Sequence, residues 1–230
     1  MNQHTIKRFE DELTELKEKV LAMGGLVEKA TKRSMNSLIK QDSKRAHKVI
    51  DRDHAINTLE VEIDDMTRTI LALRQPAAGD LRFIMTTIKV VTDLERMGDL
   101  AENIAENMLK TEEHPLTQIS SLQSFSDLVL DQLTQALNAF SKGDLDDAMV
   151  CIEENQKVQQ NFKSMQREYL TYMMEDPRQI TAGLIATDIA RSLERIGDHA
   201  VNVAEMVIYM VKGKEVRHVD TDTATALINE

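Results

Sequence analysis

The second half of this chain is a degenerate copy of the first, and that duplication limits the fold more than any other feature. At an offset of 99 residues, Asp93-Leu94-Glu95-Arg96-Met97-Gly98-Asp99 returns as Ser192-Leu193-Glu194-Arg195-Ile196-Gly197-Asp198. The match continues through Ala101/Ala200, Asn103/Asn202, Ala105/Ala204 and Glu106/Glu205. At an offset of 102, Lys40-Gln41-Asp42 returns as Lys142-Gly143-Asp144, followed by Ala46/Ala148, Ile50/Ile152, Ile56/Val158 and Ile63/Met165. Solenoid units repeat every ~20–50 residues, so a period this long describes a duplicated domain-like unit instead.

Each unit reads as helices. Phe9, Leu13, Leu16, Val20, Met23 and Val27 step by three or four, and similar spacing recurs along the chain. Eight Gly and three Pro leave few breaks, and 3% aromatic residues cannot furnish the strands of a β-sandwich or barrel. The breaks that exist delimit helices at about 5–39, 43–74, 79–111, 117–141, 144–175 and 178–212. Asp42 and Asp144 suit N-caps, and Pro76 and Pro177 lack the N–H that a helix interior needs. Gly24-Gly25 is a candidate bend in the first helix. Three helices with short turns pack antiparallel around one apolar stripe. The predicted fold is therefore all-α, two tandem three-helix bundles, with units at 1–114 and 115–213 and a polar, flexible tail at 214–230.

The third helix of each unit carries the unusual chemistry. Glu95, Asp99, Glu102 and Glu106 fall at i, i+4, i+7 and i+11, within an arc of about 60° and along ~16 Å of axis. Glu194, Asp198 and Glu205 repeat the row, with Val201 where Glu102 stands. Like charges at i, i+4 cost ~0.2–0.5 kcal/mol per pair, and acids near a helix C-terminus oppose its dipole. Either basic groups from elsewhere offset the row, or a cation does. Carboxylates suit hard cations such as Mg²⁺, Ca²⁺, Mn²⁺ or iron. The competing reading is a solvated face. Glu60, Glu62, Asp64 and Asp65 on the second helix fit that plainer reading, as does His199 as a surface histidine. Arg96 and Arg195 can orient the acids or pair with Asp93 and Asp188. Mid-helix Gly98 and Gly197 point to close helix–helix approach.

Other classes are disfavoured. A net charge of −11 repels phosphate backbones, so no nucleic-acid partner is expected. The single cysteine, Cys151, makes neither an intrachain disulfide nor a thiolate zinc site. The one Glu-x-x-His, Glu215 to His218, falls short of the two that a di-iron carboxylate bundle needs. Nucleotide P-loop, nucleophile-elbow and zincin motifs are absent from the sequence, so no enzyme is predicted. Without a Gly-rich phosphate cradle, direct phosphate binding is not predicted either. No segment reads as a signal peptide or membrane span, giving a cytoplasmic expectation.

The twin Glu-x-x-x-Asp segments at 93–99 and 192–198 resemble the paired E(D)-x-x-x-D motifs of the PhoU family. Leu21-Ala22-Met23-Gly24-Gly25-Leu26-Val27-Glu28 and Leu73-Arg74-Gln75-Pro76-Ala77-Ala78-Gly79-Asp80-Leu81-Arg82 resemble that family as well. The resemblance spans about residues 5–212. It implies two three-helix bundles and a homodimer. It further implies a cytoplasmic negative regulator of the phosphate-starvation regulon, linking the phosphate-specific ABC transporter, through its ATPase subunit, to a phosphate-sensor histidine kinase. Contact with the membrane would then be peripheral, through those partners. Metal ions at the acidic surfaces are implied too, at Glu95 and Asp99 and at Glu194 and Asp198, with the second site weakened by Val201. The alternatives are a metal-dependent carboxylate-bridged enzyme and a store for metal or phosphate.

Overall fold

The computed structural model describes residues 2–116, 119–217, 219 and 221–229. Helices follow as α1 Asn2–Lys40, α2 Ser43–Ile50, α3 His54–Arg74, α4 Ala78–Lys110, α5 Ile119–Lys142, α6 Leu145–Glu175, α7 Ile180–Lys212 and α8 Thr221–Asn229. No strand occurs among the described residues. The helix boundaries have local causes. Asp42 accepts a hydrogen bond from Arg45 N at 3.0 Å, and Asp144 caps α6 through Asp146 N and Asp147 N at 3.0 and 3.1 Å. Gly143 (φ 67°) and Gly213 (φ 72°) take the left-handed conformation that ends α5 and α7. Thr117 and Gln118, the expected start of the fifth helix, lie outside the described residues.

Two expectations are corrected. The second helix is interrupted at residues 51–53, where α2 passes into α3 through a tightened turn. Arg52 N bonds Val49 O and Asp53 N bonds Ile50 O, three residues back. The His54 ring takes up the freed Asp51 carbonyl, with Nδ1 2.7 Å from it. The equivalent stretch of α6 stays helical throughout. The tail is not merely a polar extension, because Val216 and Ala224 are buried and Leu227 and Ile228 pack on the core. Ala224, Leu227 and Ile228 sit at i, i+3 and i+4, so α8 has an apolar stripe of its own.

The two repeats share one core. Leu16, Val20, Met23, Leu94, Met97 and Ile104 of the first are fully buried together with Leu133, Leu193, Ile196 and Val203 of the second. The central seam is α4 against α7, running antiparallel. Arg82 Nε donates to Met210 O at 3.2 Å, Thr86 Oγ1 to Met206 O at 3.5 Å, and Asp93 meets His199. A second seam joins α1 to α5. Helix α1 passes unbroken through Gly24, whose missing side chain admits Leu137; a Cβ there would lie 2.5 Å from Leu137 Cδ2.

Candidate metal site

The α2–α3 turn presents Asp53 to the acidic row on α4. Gly98 makes this possible. A Cβ at that position would lie 3.0 Å from Ile56 Cδ1 and 3.4 Å from Asp53 Oδ1. The α3 terminus therefore settles directly on the α4 backbone at Gly98. One oxygen from each of Asp53, Asp99 and Glu102 lies within 4.8 Å of the others. Asn57 Nδ2 donates to Asp53 Oδ2 at 2.8 Å and orients that carboxylate.

Electrostatics register the crowding. The Glu102 carboxyl is raised above its ordinary value by burial first, then by Asp53, Glu106 and Asp99. Asp99 is raised by burial and by Asp53. Burial also raises Glu95, helped by Asp99, Glu60 and Asp53 against a partial correction from Arg96. Glu60, half-buried on α3, is raised by burial, Asp64 and Asp99. Glu60 thus borders the site, whereas Glu62 pairs with Lys19 and Asp64 and Asp65 with Arg68. Glu106 is exposed at the far end of the row. No described Lys or Arg makes an ion pair with Asp53, Asp99 or Glu102. Close oxygen ligands with no basic partner suit a hard divalent cation. An apolar cavity of about 270 Å³ opens alongside, over Leu26 and Ile56, with Lys29, Arg33, Lys48 and Arg52 at its rim.

In the second repeat amide side chains meet the acids instead. Asn155 stands where Asp53 does in the first, and Gln159 where Asn57 does. Gln159 Nε2 donates to Glu194 Oε1 at 2.9 Å and to Asp198 Oδ1 at 3.0 Å, while Asn155 Nδ2 reaches Asp198 Oδ1 at 3.3 Å. Burial still raises the Glu194 carboxyl, with the Gln159 bond pulling the other way. Gln132 fills the space over Gly197, its Oε1 only 2.8 Å from where a Cβ would sit. Glu205 lies apart on α7, acting on Cys151 and Arg217 through its charge. Among the described residues, the acids of α7 do not converge as those of the first repeat do.

Sequence reasoning missed Asp53. The available signals were the Asp51-Arg52-Asp53 charge run and the mid-helix Gly98, which marks where another backbone comes close. His199 is a correction too: it is buried on the α4–α7 seam, with Nδ1 2.7 Å from Asp93 Oδ1. Arg96 is exposed and acts on Glu95 through charge, as the exposed Arg191 and Arg195 do on Glu194, while Asp93 is held by His199 and Asn202. Glu215 pairs with Arg217, and His218 lies outside the described residues.

The PhoU domain, as a family model, matches residues 20–108 and again residues 122–207, one match inside each repeat. The chain belongs to the PhoU family. It is 38% identical over 231 residues to the phosphate-specific transport system accessory protein PhoU of Escherichia coli K12, covering 99% of this chain and 95% of that one. The PhoU homologue of Pseudomonas aeruginosa is 42% identical over 222 residues, covering 95% and 91%. Two crystal structures share the fold. PhoU from Pseudomonas aeruginosa superposes with a TM-score of 0.87 at 43% identity, over 90% of this chain and all of that one. The phosphate transport system regulatory protein PhoU from Streptococcus pneumoniae gives 0.85 at 30% identity, over 90% and 99%. The duplicated helical bundle, with its twin acidic helices, is thus the PhoU architecture.

Proposed function

We propose that this chain is a regulatory accessory protein of phosphate uptake, acting in the cytoplasm without catalytic turnover. It couples the ATPase subunit of a phosphate-specific ABC transporter to a phosphate-sensor histidine kinase, and it restrains the phosphate-starvation regulon when phosphate is plentiful. The observation that carries this reading is likeness along the whole chain to PhoU proteins named as accessory or regulatory to phosphate transport. None of the described helices is long and apolar enough to cross a membrane, and any contact with the membrane is placed, within this proposal, on the partners. A homodimer belongs to the same proposal.

Within this reading the first repeat is the metal-binding unit. Asp53, Asp99 and Glu102 would hold a divalent or iron-type cation, with Glu95 and Glu60 at its border. A bound cation there would offset the carboxylate repulsion and offer an open coordination position to an anionic group of a partner. Asn155 and Gln159 satisfy acceptor oxygens of the second row by hydrogen bonding, which makes Glu194 and Asp198 the weaker metal site.

Alkaline phosphatase in phosphate-replete cells tests the proposal. Deletion of the gene should raise activity, and the wild-type chain should return it to the repressed level. A deletion that leaves activity low would overturn the regulatory reading. Asp53→Asn/Asp99→Asn should fail to restore repression if the cation matters to signalling, whereas Glu194→Gln/Asp198→Asn should succeed. Equilibrium dialysis against the same cation separates regulation from storage, which would require many equivalents per chain.

A further inference from the structure

Antiparallel packing and internal duplication together make the α4–α7 seam nearly two-fold symmetric, so each position along it has a counterpart towards the other end. At one end the seam encloses an anion that the chain itself supplies. Asp93 is 13% exposed; its Oδ1 lies 2.7 Å from His199 Nδ1 and accepts a hydrogen bond from Asn202 Nδ2 at 2.9 Å. The 99-residue offset takes Asp93 to Ser192, His199 to Leu100 and Asn202 to Asn103. Those three residues line a groove of about 220 Å³ at the opposite end, as the symmetry requires.

The counterpart groove lacks the Asp93 carboxylate and gains Lys110 and Arg191, although Asp188 stands here where Lys89 does at the other end. Ser192 has no carboxylate, and its hydroxyl turns back to donate to Asp188 O at 3.0 Å. Lys110, Arg191 and Arg195 line the same groove. Two of these are particular to this end, since Lys110 corresponds to Tyr209 and Arg191 to Thr92. Asn107 is buried, with its Oδ1 accepting from Lys110 Nζ at 3.0 Å. One acid, Asp188, lines the groove against the three cations. None of Lys110, Arg191 and Arg195 forms an ion pair with a described residue. Arg191 and Arg195 act on Glu194 through charge without a direct ion pair, and three cations beside a single acid leave guanidinium forks and an amide donor for a tetrahedral oxyanion, which takes several charge-assisted hydrogen bonds at once.

We infer that the groove between α4 and α7 binds a tetrahedral oxyanion, inorganic phosphate, in the place that the Asp93 carboxylate occupies at the other end of the seam. Arg191 and Arg195 supply the planar forks, Lys110 a point charge and Asn103 an amide donor. The ligand straddles the two repeats, so its binding is coupled to their packing. This site is separate from the carboxylate cluster and does not depend on the regulatory reading.

Isothermal titration of the full chain with sodium phosphate tests this, with excess chelator present so that no cation bridges phosphate to Asp53. The expected result is saturable binding of one equivalent per chain, in competition with sulfate. Ser192→Asp installs the carboxylate of the opposite end and should keep the helical signal and thermal midpoint while weakening phosphate by about tenfold or more. Arg191→Gln/Arg195→Gln should weaken it at least as much. Arg33→Gln/Lys48→Gln removes the same charge at the other cavity and should leave affinity within about twofold. Absence of saturable binding at millimolar phosphate overturns the inference. So does an equal loss in the Arg33/Lys48 and Arg191/Arg195 pairs, which would mark a general effect of net charge.

Discussion

Single residues decide which repeat gathers carboxylates. Asp53 and Asn155 occupy equivalent positions, and the change from acid to amide turns an acceptor into a donor. In the first repeat the result is three carboxylates within 4.8 Å; in the second, a hydrogen-bonded lattice of Asn155, Gln159, Glu194 and Asp198. Asp53→Asn should therefore lower divalent-cation affinity as strongly as Asp99→Asn, read by titration calorimetry, whereas exposed Glu106→Gln should change it little. Gly98 matters for a steric reason. Gly98→Ala should destabilise the fold by ~1–3 kcal/mol as Ile56 and the Asp53 turn are pushed off α4, measured by urea unfolding. Cys151 is fully buried, and burial pushes its thiol up to about 12, with Glu154 and Glu205 adding to the shift. Thiol reagents should leave it unmodified in the native protein and label it once the chain unfolds.

At the scale of elements, the informative contrast lies between α2–α3 and α6. Both descend from one ancestral segment, yet the first is broken at residues 51–53 and the second runs through. The break turns Asp53 onto α4, so it belongs to the site as much as the acids do. Periodicity predicts one helix over 43–74 because Ala46, Val49, Ile56 and Ile63 stay in phase across the turn. Local chemistry overrides that phase through the short-range Arg52 and Asp53 bonds and the His54 ring on the Asp51 carbonyl. Capping was legible by contrast, and Asp144→Ala should cost ~1 kcal/mol, visible as a lowered denaturation midpoint.

For the whole molecule, the acidic cluster ties stability to both cation and pH. Glu60, Glu95, Asp99 and Glu102 all have carboxyl groups raised in the folded chain. The stability linked to their protonated forms is fully present below the unfolded-state pKa and is lost as pH rises through the folded value. Cation-free protein should thus lose thermal stability from the carboxylate range towards neutrality. Asp53→Asn/Asp99→Asn should lessen that loss. Saturating cation should reverse it, adding about 2.7 kcal/mol at a hundredfold excess over Kd. The shared core carries a second prediction. A fragment of residues 1–114 would expose the apolar seams of α1 and α4, so alone it should self-associate or fail to fold cooperatively, as judged by light scattering and thermal melts.

The amino-acid sequence by itself determined the helical class, the duplication, the caps at Asp42 and Asp144, and the two rows of acids. Those features follow from local periodicity, side-chain capping and comparison of the chain with itself. Tertiary structure alone decided which acids meet. Asp53 lies far from Asp99 along the chain, and only the packing of Ile56 over Gly98 brings them together. It also decided that His199 is an interior partner of Asp93 and that α8 joins the core. Each of these depends on contacts between distant segments, where burial and hydrogen bonding outweigh the exposed, polar character that the residues show in sequence.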